Sequence, residues 1–221
     1  MRAKTTDERL ERVASIKNTI MTVLAQQRNL PGPWDRLLQE IHEDLNQHPV
    51  IRDYALQHLF THYETVMEKG GEGAWNPARR AELLGLFWNA LGQTNQSIAG
   101  TSLLGLLYLS ELEAAVDRER LKARALGFLQ DTQASDLVRA SAFQACVLLE
   151  CEPALRFAQV TASSTGNVAL RASAIAAVGA LGTARELPCL DQLTGDTNPG
   201  IQRAAAEARR RLQRRLENTR L

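Results

Sequence analysis

The chain has 221 residues and a mass of 24.4 kDa, enough for one or two ordinary domains with a buried core. Its 44% hydrophobic and 23% charged residues indicate a globular protein, and 14 glycines with 7 prolines are too few for a disordered or fibrous chain. The net charge of +1 argues against bulk binding of nucleic acid, which normally needs a clear surplus of Lys and Arg.

No apolar run has the length of a signal peptide or a membrane span, so we predict a soluble chain. The default compartment is the cytoplasm, whereas a leader removed before Met1 would make the protein exported or anchored. The three cysteines, Cys146, Cys151 and Cys189, are odd in number and match no zinc spacing. We therefore expect reduced, buried thiols.

Helical periodicity runs through almost the whole chain, and no segment alternates with the period of two that a strand requires. The first helix is predicted over residues 6–28, where apolar side chains at steps of three and four form one face: Leu10, Val13, Ile16, Ile20 and Leu24. Ten more helices are predicted over residues 33–46, 50–68, 77–91, 96–109, 117–129, 135–149, 153–160, 167–181, 184–193 and 199–216. The glycine-rich segment 69–73 is predicted to be the longest loop.

One sequence template recurs at the start of the second helix of successive helix pairs. An apolar residue is followed by Arg or its counterpart, and a small residue comes three positions later. The register positions of the five copies are Arg52, Ala99, Arg139, Arg171 and Arg203. An Asp stands seven or eight residues ahead of three of them, at positions 44, 131 and 196.

These features resemble the HEAT-repeat family, including its bacterial phycobilisome-lyase-like relatives, whose repeat has an Asp in the loop and V-R-x-x-A in the second helix. LVRASA, ALRASAIAAVGALG and the D-x-N-P-x-I-x-R that begins at Asp196 match it, whereas the unit at Ser97 lacks the Arg and Ser163 replaces one Asp. The resemblance covers residues 33–217. It implies an all-α solenoid, a right-handed superhelix of about five antiparallel HEAT-like pairs, with a capping helix and linker over 1–32 and a short tail over 218–221.

The family is dominated by scaffolds and binding surfaces, so the resemblance implies a non-catalytic scaffold or adaptor that binds a protein partner. Its binding surface would be the concave face, lined by the second helix of each pair, and candidates near it are Leu56, Leu104, Phe143 and Ile175. No cofactor, metal or small-molecule substrate is inferred. Two alternatives stay open: a helical-repeat enzyme or lyase-like chaperone, and a nucleic-acid binder that uses the Arg-rich C-terminal helix.

The sequence carries no complete catalytic motif. His58 and His62 share one helical face, but no Glu follows His58, so the HExxH zinc motif is not formed. Deoxyhypusine hydroxylase, an enzyme built on HEAT repeats, carries repeated His-Glu pairs for a di-iron centre, whereas this chain has His42-Glu43 alone. We therefore predict that the protein is not an enzyme.

The arginines at the repeat register, Arg52, Arg139, Arg171 and Arg203, form a predicted ladder. These arginines either bind phosphate or carboxylate groups of a partner, or they have a structural role and bond loop carbonyls and the Asp of the neighbouring repeat.

Charge is uneven along the chain. Residues 34–76 hold eight acidic and three basic side chains, whereas residues 203–221 hold seven Arg and two Glu. Arg210, Arg211 and Arg214 are therefore further candidates for partner binding, and a solvated helix end is the alternative.

Overall fold

The computed structural model describes residues 2–26, 33–69, 75–94 and 96–218. Over these ranges the chain is all-helical and contains no strand. The helices are α1 (Arg2–Ala25), α2 (Trp34–Glu43), α3 (Pro49–Lys69), α4 (Pro77–Ala90), α5 (Ile98–Leu109), α6 (Arg118–Gln130), α7 (Asp136–Leu148), α8 (Leu155–Ala162), α9 (Val168–Leu181), α10 (Leu187–Leu193) and α11 (Pro199–Asn218). No helix among the described residues is both long and apolar enough to cross a membrane.

The all-helical prediction is confirmed, and most predicted helix boundaries agree with the structure to within a few residues. The helices α8 and α10 begin later than predicted because 3-10 turns, Glu152–Ala154 and Ala184–Glu186, come before them. Residues 70–73 of the predicted glycine-rich loop, residues 27–32 of the predicted linker and residues 219–221 of the predicted tail lie outside the described residues.

Side-chain caps explain why several helices begin where they do. The Asn76 side chain accepts a hydrogen bond from the backbone N–H of Arg79 at 2.8 Å, and Pro77 occupies the first turn of α4. Asp117, Ser135 and Asn167 cap α6, α7 and α9 in the same manner. These residue types satisfy the backbone N–H groups that a helix start leaves without partners.

The chain divides into two compact units, Met1–Val116 and Asp117–Leu221. In the first unit α3 packs against α1, α2 and α5, and α5 packs against α4. Its core holds Tyr63, Leu83 and Leu103, and the rings of Phe60 and Phe87 stack with their centroids 3.9 Å apart.

In the second unit α7 packs against α6 and α9, α9 packs against α8 and α11, and α11 packs against α10. Small residues fill the contacts between these helices: Ala142, Ala145, Ala174, Ala177 and Ala205 are buried. Because small side chains let helix backbones approach closely, α9 and α11 come near each other at Gly179.

The helix α1 does not bury the apolar face that the sequence predicts for it. Val13, Ile16 and Ile20 are exposed, and α1 instead packs on α3 through Ala14 and Met21. The His58 ring of α3 also bonds the Asn18 side chain of α1 at 3.1 Å. The predicted amphipathic helix is therefore present, but its larger apolar stripe faces away from α3.

Candidate binding surface on the second helices

The helices that the sequence assigns as second members of pairs are α3 and α5 in the first unit and α7, α9 and α11 in the second. Within each unit these helices pack against one another in chain order. Among the described residues, an apolar groove lies between α3 and α5 and another lies between α7 and α9.

The α3–α5 groove has a volume of about 390 Å³. Phe60 of α3 and Leu104, Gly105 and Leu109 of α5 form its apolar lining, and Tyr108 stands exposed at its edge. A Cβ atom on Gly105 would lie 2.6 Å from the Phe60 ring. Gly105 is therefore what lets that ring lie flat against α5.

Polar side chains lie around this groove. Gln57, Thr61 and Glu64 line it from α3, and Thr101 lines it from α5. The groove thus combines an apolar floor with one carboxylate. An apolar segment with a basic neighbour suits this arrangement.

The α7–α9 groove, in the second unit, has a volume of about 340 Å³. Phe143, Val147 and Leu148 line it from α7, Ala176 and Ala177 line it from α9, and three polar residues complete the lining: Gln144, Ser173 and Arg211. Here the charged group at the groove is a guanidinium rather than a carboxylate.

The two grooves occupy equivalent positions of the repeat. Leu104, Gln144 and Ala176 each stand five residues after the register position of their helix, and Tyr108 and Leu148 each stand nine residues after it. The same helix face is therefore left open in both units, which is the pattern expected when a repeated element forms a binding surface.

The four apolar residues predicted to lie near the binding surface have different surroundings in the structure. Leu104 lines the α3–α5 groove and Phe143 lines the α7–α9 groove, although the Phe143 side chain is almost entirely buried. Leu56 and Ile175 are fully buried core residues and cannot contact a partner. Periodicity along one helix does not separate a core position from one at the edge of a groove.

Arg171 belongs to the framework of the second unit. Its Nε donates to the carbonyl oxygen of Ala162 at 3.2 Å, and its Nη2 lies 2.6 Å from Oδ2 of Asp196 in the next loop. A hydrogen bond from the Asn198 backbone and the Arg171 guanidinium hold the pKa of Asp196 below its usual range. This is the framework alternative predicted for the ladder.

Arg52 has a similar arrangement in the first unit. Its Nε donates to the His42 carbonyl oxygen at 2.7 Å, and its Nη2 donates to Oε1 of Gln93 at 2.9 Å. His42 is itself bonded through Nδ1 to the Arg52 carbonyl oxygen, and burial lowers the pKa of its imidazole. Buried and bonded in this way, Arg52 joins the last turn of α2 to the segment that follows α4.

A loop hydrogen bond defines which residue takes the Asp position of each repeat. The side chains of Asp44, Asp131 and Asp196 each accept from the backbone N–H two residues later, and Ser164 accepts from Gly166 in the same way. Ser164, rather than the predicted Ser163, therefore occupies the Asp position in that loop. Because the Asp stands either seven or eight residues ahead of the repeat arginine, counting along the sequence cannot distinguish Ser163 from Ser164.

Arg139 differs from Arg52 and Arg171. Its Nε is buried and has no hydrogen-bond partner among the described residues. Ser164 stands 25 residues after Arg139, the same separation as between Arg171 and Asp196, but a hydroxyl replaces the carboxylate there. Because Ser164 stands where an Asp would be, the Arg139 guanidinium has no ion pair there.

Replacing Ser164 with Asp is expected to raise the free energy of unfolding by about 0.5–1 kcal/mol, because the new carboxylate can pair with the half-buried Arg139. Urea denaturation followed by circular dichroism measures the change. In an Arg139→Gln background the same substitution should give no gain, and an equal gain in both backgrounds would contradict the pairing.

The other predicted arginines lie on α11. Arg203, Arg210, Arg211 and Arg214 are all exposed, and Arg210 pairs with Glu207 of the same helix at 2.5 Å. Arg211 also reaches the α7–α9 groove. The neighbouring Arg209 pairs with Asp191 of α10. The four exposed arginines predicted as candidates here all belong to α11.

The histidines and the cysteines lie in different parts of the structure. His58 contacts α1, whereas the His62 ring packs edge-on against Trp75 with centroids 5.3 Å apart. Cys146 and Cys151 are buried free thiols, and Cys189 is half-buried rather than buried as predicted. Over the described ranges no group of three or more His, Cys, Asp and Glu side chains is placed to hold a metal ion.

No protein-family model matches the chain, and no curated protein matches it. Among solved structures the chain is similar to human deoxyhypusine hydroxylase in complex with glycerol, with 17% identical residues and a TM-score of 0.41. The match covers 91% of this chain and 80% of that one. A similarity at this level carries no argument about the activity of the chain.

Proposed function

We propose that the protein is a non-catalytic scaffold or adaptor whose second helices bind a protein partner. We also propose that its helices form a HEAT-like α-solenoid, a right-handed superhelix of about five antiparallel pairs capped by α1. The repeated packing of α3 on α5, and of α7 on α9 and α9 on α11, supports this architecture. The recurrent loop hydrogen bonds and the Arg171–Asp196 pair support it further.

The observation that carries the proposed function is the apolar groove found at equivalent repeat positions in each unit. Grooves between helices accept amphipathic helices, whose apolar side chains recur every three or four residues. In the α3–α5 groove Leu104 would contact such side chains and Glu64 would favour a basic neighbour. In the α7–α9 groove Val147 would contact them and Arg211 would favour an acidic neighbour. The expected partner therefore presents an amphipathic helical segment.

A photo-crosslinking amino acid at Tyr108 tests the proposal, with Val160 as the matched control position. Tyr108 is 69% exposed at the α3–α5 groove, and Val160 is 75% exposed on α8 and lines neither groove. We expect a discrete cross-linked partner from the native host at position 108 and none at position 160. Identification of the adduct by mass spectrometry gives the segment that was bound.

The Leu104→Arg substitution in the same experiment separates groove binding from accidental capture. A charged side chain in the apolar lining should reduce the position-108 adduct at least tenfold while circular dichroism stays unchanged. An adduct of equal yield with and without this substitution, or at both label positions, would overturn the proposed function.

A nucleic-acid or other acidic partner is the second candidate. The exposure of Arg210, Arg211 and Arg214 on α11 favours it. Such binding would weaken steeply with salt, because it depends on phosphate or carboxylate charge, whereas burial in the apolar grooves would not.

A further inference from the structure

The guanidinium of Arg139 is bonded differently from those of Arg52 and Arg171. These two arginines each donate through Nε to a backbone carbonyl oxygen, and each reaches a side-chain acceptor further along the chain, Gln93 or Asp196. Arg139 is half-buried, its Nε is shielded from solvent, and it forms neither kind of bond with another described residue. Part of its charge has therefore lost its hydration without gaining a protein partner.

The repeat register places the loop of residues 163–166 beside the Arg139 guanidinium. The helix α9 packs on α7 as α11 packs on α9, and Ser164 follows Arg139 by the same 25 residues that separate Asp196 from Arg171. The Ser164 Oγ accepts from the backbone N–H two residues later, as the Asp196 carboxylate does. The two loops therefore make the same turn and present their side chains to equivalent arginines.

A serine at this position does not satisfy the Arg139 guanidinium. Its oxygen stands one bond closer to the backbone than the oxygens of an aspartate, and it carries no charge. The Ser164 hydroxyl also donates to the carbonyl oxygen of Thr161 at 2.8 Å. The loop thus leaves Arg139 open to an acceptor that another molecule supplies.

The acidic side chains of the neighbouring segments do not neutralise Arg139. Residues 160–170 contain no acidic side chain. In the loop before α7 the Asp131 carboxylate accepts from the backbone N–H of Gln133, and the exposed Asp136 begins α7. Neither carboxylate pairs with Arg139 in the part of the chain that the structure describes. The positive charge at this end of α7 therefore stays available to an anion.

The side chains beside Arg139 suit a phosphate group best. A guanidinium binds two oxygens of a phosphate or a carboxylate side by side. Ser163 and Thr165 flank Ser164, are both exposed, and carry hydroxyl groups that can donate to further oxygens. A phosphate group has those further oxygens, whereas a carboxylate has only the two that the guanidinium takes.

We propose that Arg139, with the hydroxyl groups of Ser163 and Thr165, binds a phosphate group of a ligand. None of these residues lines the α3–α5 or the α7–α9 groove, so the site is separate from the surface proposed to bind an amphipathic helix. Because the Arg139 Nε is shielded from solvent, its attraction for an anion is screened less than that of the exposed arginines on α11.

NMR of the arginine Nε–H groups in the full chain, titrated with inorganic phosphate at constant ionic strength, tests the site. We expect a saturable shift of the Arg139 signal, which the Arg139→Gln substitution identifies by removing it. Ser164→Asp should weaken phosphate binding about tenfold, because the new carboxylate pairs with Arg139 in place of the ligand. The matched control is Ser164→Ala, which adds no charge and should keep the affinity within about twofold. Circular dichroism monitors the fold of each variant.

Thermal denaturation with and without phosphate provides a second measurement, since a ligand that binds the folded chain raises its melting temperature. Wild type should be stabilised, and Arg139→Gln and Ser164→Asp should not. A shift at Arg139 that does not saturate, or that equals the shift at the exposed Arg203, would overturn the proposal. Equal phosphate affinity of wild type and Ser164→Asp would also overturn it.

Discussion

Replacing Asp35 with Asn is expected to lower the free energy of unfolding by about 3 kcal/mol, because it removes the buried counter-ion of the Arg79 guanidinium. Arg79 Nε donates to Oδ2 of Asp35 at 2.8 Å, and the two side chains are 8% and 11% exposed. Gln39 also accepts from Arg79, at 2.7 Å. Removal of one charge from such a pair costs more than the pair itself contributes, because the remaining ion cannot regain its hydration. Urea denaturation followed by circular dichroism measures the loss.

The control for this prediction is Glu82→Gln. Glu82 pairs with the same arginine at 2.8 Å, but its side chain is 48% exposed and water can replace it. Its removal should cost less than about 1 kcal/mol. Equal costs for the two substitutions would show that burial of the Asp35–Arg79 pair does not determine its effect on stability.

Replacing Gly179 with Ala is expected to destabilise the second unit by roughly 1–3 kcal/mol through overpacking. A Cβ atom at this position would lie 2.7 Å from the Cα, Cβ and carbonyl oxygen of Ala208, so α9 and α11 would have to move apart. The backbone atoms of Ala208 cannot rotate away as a flexible side chain can. Thermal and urea denaturation both report the change.

Gly127 offers the matched control on α6. A Cβ atom there meets nothing within 4 Å, and the residue is exposed. The same substitution, Gly127→Ala, should therefore stabilise the protein by up to about 1 kcal/mol, since Ala favours the helix over Gly. Effects of the same sign at both glycines would contradict the close approach of α9 and α11.

Much of the secondary structure follows from the sequence because its causes are local. Prolines, cap residues and apolar spacing depend on neighbours within a few positions, and they place most helix boundaries to within a few residues. The alternative in which a ladder arginine bonds the Asp of a neighbouring repeat applies to Arg171, because the repeat register brings it next to the Asp of the following loop.

The remaining features depend on contacts between helices that are distant in sequence. The α3–α5 groove exists because Gly105 lacks a side chain where the Phe60 ring lies, and no pattern along α5 reveals that ring. The sequence does not distinguish the buried Ile175 from the exposed Ile16, because each residue fits an apolar stripe along its helix. Which stripe is buried is decided by the neighbouring helix.

We propose that the open faces of the second helices bind an amphipathic helix. Methyl NMR of the full chain, titrated with an amphipathic helical peptide selected for binding from a displayed library, detects this binding residue by residue. We expect the methyl signals of Leu104, Val147 or Leu148 to shift on titration while those of Leu137 and Val160 stay in place. Shifts confined to Leu137 and Val160, or a bound peptide that leaves all three groove residues unperturbed, would contradict it.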